Sequence, residues 1–84
     1  MFLHLGDDTV VALEEIISIN DYRSFHSNIN KAFLTQMRQQ GKVVDISENT
    51  PKSFIVTKRG VYLSAISSLT LKKRAGSLFD HEEF

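Results

Sequence analysis

Two runs, Phe54-Ile55-Val56-Thr57 and Val61-Tyr62-Leu63-Ser64-Ala65-Ile66, are rich in β-branched and aromatic residues, and only Lys58-Arg59-Gly60 separates them. So compact a connection reads as the tip of an antiparallel β-hairpin. The other elements must be arranged around that hairpin, because a chain of 84 residues has room for one small domain and no second core.

Ahead of the hairpin, the spacing predicts a β-rich N-terminal part. Phe2 to Leu5 reads as a short strand ended by Gly6-Asp7-Asp8, a turn-forming group. Val10 to Leu13 and Ile16 to Ile19 are further β-branched runs split by Glu14-Glu15, either two strands or one bent strand. The period then changes. Ile29, Ala32, Phe33 and Met37 follow the i, i+3, i+4, i+8 spacing of one helix face. Ser24 or Ser27 is placed to cap this helix and Gly41 to end it in a left-handed conformation. Leu34 lies off the apolar stripe, which makes it a candidate for contact with another subunit. Val43 to Ile46 reads as a strand, and Ser47 to Lys52 as a polar turn holding the single proline, Pro51. Beyond the hairpin, Ser67-Ser68 offers a cap for a last helix whose apolar contacts are Leu69, Leu71, Ala75, Leu78 and Phe79. The fold class is therefore α+β, a single domain over residues 1–79 followed by an acidic tail over 80–84.

Composition narrows the class of protein. A hydrophobic fraction of 42% is ordinary for a folded domain and too high for a disordered one. No cysteine is present, so there is no disulfide framework or thiolate metal site, which fits a reducing compartment. No apolar run approaches the roughly 18 residues of a membrane span, and the N-terminal residues lack the pattern of a signal peptide. The expectation is a cytoplasmic protein without membrane contact.

The residues offer little to an enzyme. His4, His26 and His81 are scattered without metal-site spacing, and His4 alternates with Leu3 and Leu5, which puts it on the solvated face of a strand. Asp7-Asp8 and Glu14-Glu15 are adjacent pairs without a third ligand. Four glycines are spread singly, so there is no phosphate-cradling loop, and no serine sits in a nucleophile elbow. No catalytic residue, cofactor or metal is expected.

Charge is the stronger signal. Ten basic and ten acidic side chains cancel, yet they are segregated. Asp7, Asp8, Glu14, Glu15 and Asp21 occupy the first 22 residues, which hold no Lys or Arg. Between Glu48 and Asp80 the charged residues are Lys52, Lys58, Arg59, Lys72, Lys73 and Arg74, all basic. Clustered Lys and Arg attract phosphate by charge and hydrogen bonding even on a neutral protein. The plainer alternative is ordinary solubilising charge, and no helix-turn-helix or zinc-finger pattern argues against it.

The chain resembles the RemA/RemB family of small bacterial extracellular-matrix regulators, on its RemB side. The resemblance rests on Met1-Phe2-Leu3-His4-Leu5-Gly6-Asp7-Asp8, on Thr50-Pro51-Lys52-Ser53, and on Ser68-Leu69-Thr70-Leu71-Lys72-Lys73-Arg74-Ala75. It implies a cytoplasmic regulator of biofilm-matrix genes, a closed homo-oligomeric ring that binds DNA, and possible association with a RemA-like partner. The resemblance also implies a departure. Positions where RemA proteins carry DNA-contacting arginines are Glu15, Thr50 and Pro51 here, so those contacts do not carry over. Lys52, Lys58, Arg59, Lys72, Lys73 and Arg74 are left as the DNA-binding candidates. Glu14, Glu15, Asp21 and Leu34 are the subunit-interface candidates. The competing reading is a non-catalytic interaction module in which the acidic half of one copy meets the basic half of the next, with no nucleic acid bound.

Overall fold

The computed structural model describes residues 1–26 and 28–76. Leu78, Phe79 and the acidic tail, all given roles from sequence, lie outside the described residues, as does Ser27.

Strands β1 (Phe2–Gly6) and β2 (Thr9–Ala12) form a two-stranded antiparallel sheet. Their two-residue loop, Asp7-Asp8, has positive φ at both positions (47° and 61°), the combination of a type I′ turn, which suits strand twist and tolerates Asp. A 3-10 turn at Leu13–Glu15 then leads into β3 (Ile16–Asp21). The split at Glu14-Glu15 thus separates two strands, and they belong to different sheets. After a second 3-10 turn (Tyr22–His26) come helix α1 (Asn28–Gln39) and strands β4 (Val43–Asp45), β5 (Ser53–Thr57) and β6 (Val61–Ser64), then helix α2 (Ser68–Ala75). The main sheet has the order β3-β5-β6-β4, with the β5–β6 hairpin at its centre.

Because successive strand residues point to opposite faces, this central hairpin organises two cores. Ile55, opposite Ile19 on β3, faces one side and packs with Leu3, Leu5, Val11 and Leu13 and with Leu71 and Ala75 of α2. Phe54, Val61 and Leu63 face the other side, where Leu34 closes the cluster and Phe33, Met37 and Val43 pack against it. The molecule is therefore layered: α1 on one face of the main sheet, and α2 with the β1–β2 sheet on the other.

Several ends of elements follow from local chemistry. The Ser67 side chain accepts a hydrogen bond from Thr70 N (3.2 Å) and caps α2, as its position in sequence predicts. Gly41 (φ 70°) ends α1, with its N–H donating to Arg38 O and Lys42 N to Met37 O. Ser24 does not cap α1: it lies in the preceding 3-10 turn and its hydroxyl donates to Asp21 O (2.7 Å). Strand β6 stops at Ser64 instead of reaching Ile66. The Ser64 hydroxyl donates to Leu5 O (2.6 Å) and accepts from Ile66 N (3.0 Å), which bends the chain and ties the central hairpin to β1.

The inward face of α1 also differs from the sequence expectation. Leu34, read as an exposed interface residue, is 8% exposed and buried against Phe54, Val61 and Leu63. The inward stripe is Phe33, Leu34 and Met37, and Ile29 and Ala32 point to solvent. The helix carries two overlapping apolar stripes, and the apolar face of β5–β6 selects the one containing Leu34.

Candidate functional site

All six basic candidates are exposed, on backbone that is held in place. Lys52 precedes β5, and its peptide groups are fixed on both sides. Its N–H donates to Ser64 O (2.8 Å) and its carbonyl accepts from Tyr22 N (3.0 Å). Its side chain borders a cleft of about 250 Å³ lined also by Asp21, Tyr22, Arg23, Pro51 and Ser67.

Lys58 and Arg59 sit at the opposite end of β5, on the hairpin tip. Thr57 shapes that tip: its Oγ1 accepts from Arg59 N (3.2 Å) and Gly60 N (3.1 Å) and donates to Gly60 O (2.9 Å). Gly60 is required by close approach, since a Cβ there would stand 2.5 Å from Lys42 O, the atom that accepts from Val61 N. Lys58 N donates to Glu15 O (3.0 Å), and Arg59 Nε lies 3.4 Å from Glu15 Oε1. The interface candidate Glu15 thus meets a basic residue of its own chain. Exposed pairs of this kind contribute at most about 1 kcal/mol. Lys52, Lys58, Lys72, Lys73 and Arg74 make no ion pair with a described acidic residue.

Lys72, Lys73 and Arg74 form the last turn of α2 between the buried Leu71 and Ala75, so they fan across its solvent side. Cations at a helix C-terminus complement the helix dipole, which favours this turn structurally as well.

The six do not form one patch. The five residues of β5 separate Lys52 from Lys58, six residue steps and a span of roughly 20 Å. Each end of the sheet instead gains a basic residue that sequence reasoning missed. Arg23 joins Lys52 around the first cleft. Lys42 joins Arg59 around a smaller depression lined by Gly41, Val44, Gly60, Val61 and Tyr62. The parallel pairing of β4 with β6 brings Lys42 there, and no local pattern announces it. Arg23 is the first basic residue after the acidic segment, far in sequence from the basic stretch, and that change of sign was its one signal.

Asp21 is committed within its own chain. Its carboxylate takes a 2.6 Å contact from Arg23 Nη2, and the Arg23 side chain and backbone N–H hold its carboxyl down at about 2. Asp45 is likewise held below the ordinary carboxylate range, chiefly by the Ser47 hydroxyl and N–H, with Arg38 adding to the effect. Glu14 is exposed. Among the described residues no group of three or more His, Cys, Asp or Glu could hold a metal, and no helix is long and apolar enough to cross a membrane.

Fold and site together describe a small α+β module whose charged side chains are displayed at its surface, with Arg, Lys and Glu in the prominent positions. The chain belongs to the RemA-like family: the family model "Extracellular matrix regulatory protein A-like" matches residues 2–75. It is also 45% identical over 80 residues to extracellular matrix regulatory protein B of Bacillus subtilis (strain 168), an alignment covering 95% of this chain and 96% of that protein. Both names are those of regulators of the extracellular matrix, not of enzymes.

Proposed function

We propose that this chain is a cytoplasmic, ring-forming homo-oligomer that regulates extracellular-matrix gene expression by binding DNA through repeated basic patches. The observation that carries the reading is the display of Lys52, Lys58, Arg59, Lys72, Lys73 and Arg74 on fixed backbone, exposed and, apart from Arg59, unpaired with described acidic residues. The two ends of β5, roughly 20 Å apart, span about six base pairs of B-form DNA at 3.4 Å each. One subunit can therefore reach separate phosphates but cannot concentrate charge at one point. Repetition around a ring turns weak contacts into avidity. Lys predominates over Arg in this set, which suits phosphate anchoring better than bidentate base reading.

The test is fluorescence anisotropy with duplex DNA across a salt series. Binding should fall steeply with salt, and replacing Lys58 and Arg59 with Ala should reduce the magnitude of the log–log slope by about 1–2. No binding at low salt would sink the reading. An oligomer without DNA affinity would favour the second reading, an interaction module held together by acidic-to-basic contacts. The segregation of acidic from basic residues along the chain favours that part of it.

A further inference from the structure

The cleft beside Lys52 has walls that phosphate contact alone does not need. Tyr22 and Pro51, both half-buried, line it together with Asp21, Arg23 and Ser67. At about 250 Å³ it falls below the roughly 300–1,000 Å³ of a pocket for a drug-sized ligand, so it has room for one ring system and little more. Its two sides are tied together. Asp21 of β3 pairs with Ser53 of β5, and Tyr22 N donates to Lys52 O (3.0 Å). Ser67 lines the cleft with its one donor already used, because its hydroxyl donates to Thr70 Oγ1 (2.9 Å).

Arg23 is the best-held cation there. Its Nε and Nη2 both donate to the Asp21 carboxylate (3.1 and 2.6 Å), and its backbone N–H donates to the same group (2.8 Å). These contacts fix the plane of a guanidinium whose side chain is 85% exposed. A fixed guanidinium plane is a stacking surface for a nucleobase. Because Asp21 offsets Arg23, Lys52 leaves the cleft with a net positive charge, the complement of the single negative charge on a phosphodiester.

We propose that this cleft holds one unpaired nucleotide of a single-stranded nucleic acid, its base against Tyr22, Pro51 and the Arg23 guanidinium and its phosphate on Lys52. The inference rests on the reading of this chain as a nucleic-acid binder, and it names the form of nucleic acid that this end of the sheet takes. A duplex offers Lys52 its phosphates but keeps its bases stacked, and extruding one costs a few kcal/mol. An unpaired strand fills the cleft without that penalty. Stacking of this kind tolerates any base, so the cleft selects strandedness and not sequence.

Fluorescence anisotropy on the full chain at fixed salt tests this with labelled probes. They are an oligo(dT) strand, the same strand annealed to oligo(dA), and an abasic strand of equal length and charge. Oligo(dT) should bind at least about fivefold more tightly than the abasic strand, since stacking of one base is worth that much or more. Arg23→Lys keeps the charge and removes the plane, so it should narrow this ratio by at least about threefold, with circular dichroism melts confirming that the variant is folded. Lys52→Ala should weaken binding of every probe. Equal binding of oligo(dT) and the abasic strand, or a ratio that Arg23→Lys preserves, would overturn the assignment of the cleft. Duplex binding in the same experiment would leave the DNA reading standing. Displacement of oligo(dT) by free dTMP at equal nucleotide concentration would give the cleft to a free nucleotide and overturn the strand. Failure of both duplex and single strand to bind at low salt would overturn the inference and the DNA reading together.

Discussion

Two hairpins of similar length do opposite work in this molecule. The β5–β6 hairpin is central, with neighbours on both edges and a layer on each face, so nearly all of its side chains are buried and only its tip is displayed. The β1–β2 hairpin is peripheral, burying one face and leaving the other uncovered. Enclosure on both faces confines a hairpin's chemistry to a few loop residues, here Lys58 and Arg59. Coverage on one face leaves an area, which is the kind of surface another macromolecule can occupy. The first hairpin suits contact with a point charge and the second suits contact with a face.

The largest test of this contrast is paired truncation. Ile55→Ala, at a fully buried position, should lower stability by about 2–5 kcal/mol. Val10→Ala, on the open face, should change it by less than about 0.5 kcal/mol at concentrations where copies do not associate. Urea denaturation of both measures the difference, and comparable losses would show that the outer face is not free.

The bond between the hairpins offers a sharper and smaller effect. Ser64 is fully buried, and its hydroxyl links β6 to Leu5 of β1. Ser64→Ala should cost about 1–3 kcal/mol, because the Leu5 carbonyl loses its donor and Ile66 N–H its acceptor. Hydrogen exchange should then show faster opening of β1–β2 than of β5–β6. Equal acceleration in both hairpins would mean that they open as one unit.

The smallest effect belongs to Asp21, beside the Lys52 end of β5. Its carboxyl is held at about 2 against an ordinary 3.8, so its contribution to stability is present above 3.8 and fades as pH falls toward 2. Arg23→Ala should move the Asp21 titration, followed by NMR, back toward 3.8. A midpoint that stays near 2 would assign the depression to the remaining backbone.

Much of this architecture is legible in the sequence because it depends on near neighbours. The Lys58-Arg59-Gly60 tip, the Asp7-Asp8 turn, Gly41 at the end of α1 and Ser67 at the start of α2 are interactions within a few residues. The inward face of α1 is not legible, because its sequence supports two apolar stripes and only β5–β6 chooses between them. The end of β6 is also hidden, since the hydroxyl that stops it bonds to a carbonyl 59 residues away. Within the candidate site, the exposure of the six basic side chains follows from their type, whereas Lys42 beside Arg59 requires the parallel β4–β6 pairing.

Local patterns in the chain place most of its short strands, turns and helices, and they keep acidic and basic residues apart along it. Where those charges face depends on long-range packing. Alternation along β5 and β6 sends one apolar set toward β1–β2 and the other toward α1. That geometry puts Asp7, Asp8 and Glu14 on the same side of the sheet as the basic turn of α2, and Lys31 and Arg38 of α1 on the other. Charge order along a chain becomes charge order in space only when long-range strand pairing fixes which face each segment covers.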